Sequence, residues 1–173
     1  MREHADDGTT TLVSERQAPM IATLGRTAVL GIAVTAALVA TTGTASAATT
    51  FSPTYTLATG WTCAGEVSGT AIPGPSDYSA PGEAAVYLRG TFWSVTPGSH
   101  QSGCSVTATV NWRNLDTGAT GSTATVVVGG PSGETGPATG VLLPTGPGRI
   151  EASVSTAPLL HHPGQAAFTV DPT

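Results

Sequence analysis

The sequence predicts an all-β domain, a single antiparallel β-sandwich of seven or eight short strands with one disulfide. Three observations carry that prediction. Residues Gly103 to Trp112, "GCSVTATVNW", alternate strictly, with Cys104, Val106, Ala108, Val110 and Trp112 on one side and Ser105, Thr107, Thr109 and Asn111 on the other. A period of two marks a strand with one buried and one wet face. Further runs rich in Val, Ile and Thr follow the same rule, separated by clusters drawn from 22 glycines and 13 prolines. Cys63 and Cys104, the two cysteines of the chain, each fall on the apolar parity of such a run.

Taken in order, a first strand is expected near Pro53 to Ala58, with Tyr55 and Leu57. In the second, "WTCAGEVSGT", Trp61, Cys63 and Val67 share one parity. "AIPGPSDYSAPG", Ala71 to Gly82, reads as a long loop because its prolines and glycines would break a central strand. "EAAVYLRGTFW" is strand-like from Ala84 to Trp93, with a bulge expected at Gly90. The opening stretch follows, then a polar hairpin connection over Asn114 to Gly121 and a strand over Ser122 to Val128. Glycine-rich "GGPSGETGPATG" reads as a loop before a short run at Val141 to Leu143. "RIEASVST", Arg149 to Thr156, sets Ile150, Ala152 and Val154 opposite Glu151, Ser153 and Ser155, and "AAFTV", Ala166 to Val170, is the last strand.

Half-polar alternation favours antiparallel sheets with one solvated face each, and two such sheets packed together bury the apolar faces. An immunoglobulin-like sandwich is therefore the expected architecture, with a small β-barrel as the alternative. Immunoglobulin domains pack a tryptophan on their central disulfide, and the chain loosely resembles that arrangement. Here, however, Trp61 precedes Cys63, Trp112 follows Cys104, and Trp93 is the tryptophan between the cysteines.

The first 47 residues read as a secretory address and residues 48–173 as the exported domain. Arg26, an apolar run from Ala28 to Ala40 and Ala45-Ser46-Ala47 supply a basic flank, a hydrophobic region and a cleavage site between Ala47 and Ala48. The segment before Met20 carries both charge signs and no apolar pattern, so initiation at Met20 is an alternative to a long leading region from Met1. Lack of an Arg-Arg pair favours the Sec route, and no membrane segment is expected after cleavage. "LLPTG", Leu142 to Gly146, lacks the spacing and tail of a sorting signal and reads as a turn. The alanine-rich leader, the absence of lysine and a single-disulfide Gly/Thr/Val-rich domain together resemble exported proteins of high-GC Gram-positive bacteria. That resemblance implies an extracellular or envelope setting.

In an oxidising compartment the two cysteines are expected to form a structural bridge. A reactive thiolate would need a neighbouring base, and no Cys-x-x-Cys spacing is present. Net charge is −5, and only Arg89, Arg113 and Arg149 lie beyond the leader, which disfavours nucleic acid and anionic membrane as partners. The glycine-rich segment lacks the Lys-Ser/Thr ending of a phosphate loop, so no nucleotide is expected. His161 and His162 are adjacent and would point apart on a strand, His100 is remote in sequence, and no metal site or cofactor is expected. There is no G-x-S-x-G elbow, and Glu66, Glu83, Glu134 and Glu151 are scattered over different runs, so a secreted hydrolase is the least favoured class.

Binding is the favoured class. The first expectation is a non-catalytic domain that contacts a protein of the cell envelope or exterior. The alternative is a carbohydrate-binding module that holds envelope polysaccharide on an aromatic platform of Trp61, Tyr87, Phe92 and Trp93. Phe92 and Trp93 are consecutive, so one of the two should face outward.

Overall fold

The computed structural model describes residues 47–59, 61–96, 103–157, 159–160 and 162–173. Ala45, Met20 and the rest of the expected leader before Ala47 lie outside the described residues, as do His100 and His161.

Among the described residues the chain forms ten strands, joined by antiparallel pairings. These are β1 (Thr49–Thr50), β2 (Thr54–Ala58), β3 (Cys63–Pro73), β4 (Ala84–Ser94), β5 (Cys104–Asn114), β6 (Thr120–Gly129), β7 (Ser132–Thr135), β8 (Thr139–Leu143), β9 (Gly148–Thr156) and β10 (Gly164–Val170). One sheet runs β1-β3-β4-β7, with β2 also on β3 and β8 also on β4. The other runs β10-β9-β5-β6. The ladders make a two-sheet β-sandwich rather than one closed barrel.

Each strand expected from alternation is present, and two that were not expected join them. β1 is two residues long, too short for a period to register. β7 lies inside the glycine-rich segment read as a loop; its sequence, Ser-Gly-Glu-Thr, has turn chemistry and no apolar residue. It holds by pairing Thr135 with Thr91 and Ser132 with Trp93, at the edge of the sheet. β3 also runs three residues into the expected loop, to Pro73, and one further hairpin bond follows it, from the Gly74 N–H to the Glu83 carbonyl (2.8 Å). The bulge expected at Gly90 is absent from the β3–β4 ladder, which is in continuous register from Cys63↔Ser94 to Pro73↔Ala84. The irregularity is one step later, between Thr91 and Trp93 on the side facing β7.

The core lies between the sheets. From the first come Val67, Val86, Leu88, Phe92 and Leu143, and from the second Val106, Val110, Val127, Ile150, Val154 and Phe168, all buried. Phe92 fits because three glycines leave its ring room. A Cβ at Gly65 on β3 would stand 2.7 Å from its Cδ1, one at Gly90 on β4 2.8 Å from its Cζ, and one at Gly129 on β6 2.9 Å from its Cδ2. Trp112 is buried as its parity requires, but its indole lies over Gly121, its cross-strand partner on β6. It does not pack on the bridge: Cys104 and Trp112 are at opposite ends of β5, about 27 Å apart at strand spacing. The Cys63–Cys104 disulfide is formed and joins β3 of one sheet to β5 of the other.

Buried polar groups are tied into the backbone. Thr54 Oγ1 donates to the Val154 carbonyl (3.1 Å) and accepts from the Gly164 N–H (2.9 Å), tying β2 to the second sheet. Asn114, fully buried at the end of β5, donates through Nδ2 to the carbonyls of Thr145 (3.0 Å) and Pro147 (2.9 Å). Its Oδ1 accepts from the N–H groups of Asp116 (3.0 Å) and Thr117 (3.1 Å), so one amide fastens the β5–β6 turn to the β8–β9 connection. Beside it, the Arg149 guanidinium and then the Arg149 backbone N–H donate to Asp116 and hold its carboxyl below the ordinary value.

Thr156 is different. Its Oγ1 is buried and has no hydrogen-bond partner among the described residues. A hydroxyl stripped of water without compensation costs stability, so Thr156→Val, which keeps the shape and removes the hydroxyl, is expected to stabilise by about 1 kcal/mol. Urea unfolding of the two proteins checks this, and a destabilised variant contradicts it.

Candidate functional site

Cross-strand register determines which side chains share the outer face of the first sheet. One row across β2, β3, β4 and β7 is Tyr55, Glu66, Thr91 and Thr135. The next is Leu57, Ala64, Trp93 and Ser132. Along β4 the same face continues through Arg89 to Tyr87, which stands opposite Gly140 of β8. Leu57, Ala64 and Glu66 are partly buried here, while Tyr55 is 44% exposed and Trp93 is 50% exposed.

Trp93 is held rather than loose. Its indole lies across Gly133, where a Cβ would stand 2.8 Å from Cε2 and closer still to Nε1. Gly133 has φ +90°, a left-handed backbone that favours glycine on its own account. The edge strand thus presents a bare backbone against one side of the ring, and half the side chain remains open to solvent. Thr91 and Thr135 share a hydroxyl–hydroxyl bond of 2.9 Å beside it. Tyr87 leans over Gly140 in the same manner, and Tyr78, from the β3–β4 loop, meets Tyr87 edge to face with ring centroids 5.7 Å apart.

The four aromatic residues nominated from sequence therefore separate. Trp93 and Tyr87 lie on this face. Phe92 does not: it is 0% exposed and belongs to the core, because its position on β4 points it into the glycine-lined slot. Trp61 is 66% exposed but is not part of the strand that its parity with Cys63 and Val67 had implied. It stands in the turn before β3 at φ +81°, an unfavourable backbone for a bulky residue, at the same end of the sheet as Trp93. The Thr62 carbonyl beside it accepts from the Val95 N–H (2.9 Å), and Thr62 Oγ1 donates to the Thr59 carbonyl (2.7 Å). Tyr55 and Tyr78 (58% exposed) join the face although sequence reasoning did not nominate them. In β2 the apolar parity is Tyr55 and Leu57, yet Thr54 and Thr56 are the buried pair and Tyr55 faces outward, so sequence pattern alone points the wrong way. Tyr78 sits in a loop and carried no periodic signal.

Glu66 and Glu151 are on outer faces of opposite sheets, so those two carboxylates cannot act as an acid–base pair. Among the described residues no three His, Cys, Asp or Glu side chains converge as a metal site, and no helix is long and apolar enough to cross a membrane. Ala47 and Ala48, the described part of the expected cleavage flank, are exposed just ahead of β1. No protein-family model, curated protein or solved structure matches the chain.

Proposed function

We propose that the domain is a non-catalytic, exported binding module that holds polysaccharide of the cell envelope on the outer face of β2, β3 and β4. The observation that carries this reading is Trp93, clamped over Gly133 with half its surface open. A ring fixed before the ligand arrives loses little side-chain entropy on binding, and its apolar face suits the C–H face of a sugar. Tyr55 lies one row away and two strands across, about 12 Å at sheet spacings, so a chain of sugars rather than a single unit reaches both rings. Glu66, Thr91 and Ser132 supply hydroxyl-matching groups between and beside them. Export by the Sec route rests on the leader sequence.

The finer architecture belongs to the same proposal. A disulfide between two sheets supports an immunoglobulin-like reading. The β3–β4 hairpin stays within one sheet, where an immunoglobulin domain changes sheet after its second strand, and marks the departure from that type.

The test is affinity electrophoresis and calorimetry with purified envelope polysaccharides. Trp93→Ala is expected to weaken binding roughly tenfold or more with an unchanged fold by circular dichroism. Undiminished binding by this variant overturns the reading. Capture from envelope material that is lost on protease treatment, with no affinity for purified glycans, replaces it with the protein-interaction function.

A further inference from the structure

The outer face of the second sheet has a different chemistry. Register sets Gln165, Ser153, Asn111 and Ser122 in one row across β10, β9, β5 and β6, and Ala167, Glu151, Arg113 and Thr120 in the next. A shallow groove of about 560 Å³ opens over it; Asn111, Arg113, Glu151, Ser153, Gln165 and Ala167 border it, with the intervening row of Trp112, Ala152 and Ala166 between them. That volume falls among those of small-molecule sites, roughly 300–1,000 Å³. Trp112 also borders the groove, but its side chain belongs to the core and lies over Gly121, so no aromatic ring stands on this outer face; Ala167 on the edge strand β10 ends the second row.

Arg113 and Glu151 are direct cross-strand partners, yet they form no ion pair; among the described residues the ion pair is Arg149–Asp116. Their hydrogen-bonding capacity is therefore left facing the groove. Arg113 is a pure donor and Glu151 a pure acceptor, while the Gln165 amide and the Ser153 hydroxyl offer both, as does Asn111, whose Nδ2 makes one long contact of 3.5 Å to Ser155 Oγ. The summed formal charge of the lining is zero, so the groove has no electrostatic preference for an anion or a cation. A ligand that satisfies it must donate and accept at closely spaced points without net charge. Vicinal hydroxyls do this.

We propose that this groove is a second binding site, for a neutral, hydroxyl-rich glycan segment gripped along its hydroxyl edges. It lies on the opposite face from Trp93 and uses hydrogen bonds in place of stacking, so it stands independently of the aromatic-face reading. With both faces occupied, the domain would bridge two glycan segments and gain avidity on a polysaccharide network.

The experiment is an amide-resolved NMR titration of the purified nitrogen-labelled protein with cellopentaose, laminaripentaose and maltopentaose, each up to about 10 mM, and with glycylglycine as a zwitterionic control. At least one pentasaccharide is expected to shift the Asn111, Arg113, Glu151, Ser153 and Gln165 signals saturably. The double variant Asn111→Ala/Gln165→Ala should weaken that response roughly tenfold, and Trp93→Ala should leave it intact. No shift with any pentasaccharide overturns the proposal, as does a response unchanged in the double variant or a response to glycylglycine alone. The Trp93 indole N–H reports the aromatic face separately, so failure of one site is distinguishable from failure of the other.

Discussion

Replacing Cys63 and Cys104 together by alanine is expected to destabilise the domain by about 4 kcal/mol, the loop-closure entropy returned to the unfolded chain. The bridge spans 41 residues of sequence and joins the two sheets through strands whose cysteines are fully buried. That loss is of the same order as the whole net stability of a small domain, about 5–15 kcal/mol. Urea unfolding should show a lower midpoint for the double variant, and reduced wild-type protein should move to meet it. Under the proposed export, secretion yield should fall with it, because a partly unfolded domain is open to proteolysis. A midpoint unchanged by either treatment would show that the sandwich does not depend on the bridge.

The second large effect is expected at Phe92. Truncation to alanine should cost about 4 kcal/mol, since the ring fills a slot bounded by β3, β4 and β6 that backbone glycines cannot collapse to close. The complementary change is more diagnostic. Gly90 has ordinary strand backbone, so Gly90→Ala adds no conformational strain, but its Cβ would overlap the Phe92 ring and stand 3.1 Å from Val127 Cγ1. Overpacking of this kind costs about 1–3 kcal/mol. In a Phe92→Leu background the overlapping ring atoms are gone, so Gly90→Ala should cost less than half as much. A double-mutant cycle by denaturant unfolding measures this coupling, expected at about 1 kcal/mol or more. Additive single effects would mean that Gly90 and Phe92 do not compete for the same space.

Phe92 also shows how far the candidate site could be read from sequence. Alternation says that one of Phe92 and Trp93 faces outward, and the partner residues decide which. Gly65, Gly90 and Gly129 come from three strands, and only their convergence makes a pocket for Phe92. The seat of Trp93 was equally hidden, since β7 has no apolar pattern and pairs through two residues. The polar groove is a still clearer case. Gln165, Ser153 and Asn111 are unremarkable wet-face positions on three separate strands, and they become one row only through register.

By itself the sequence determined eight of the strand segments, the buried face of strictly alternating strands such as β5 and β9, and that Cys63 and Cys104 belong to the interior. These are local properties: side chains alternate on an extended backbone, so one strand's own residues specify its wet and dry faces. Tertiary structure alone decided strand order, the addition of β1 and β7 at sheet edges, the burial of Phe92 against the exposure of Trp93, and the rows that make the two outer faces. Those depend on pairings between segments as distant as Thr54 and Gly164, where a hydroxyl and an N–H meet across the sandwich. Such contacts are set by packing and hydrogen-bond satisfaction over the whole domain, which no single strand encodes.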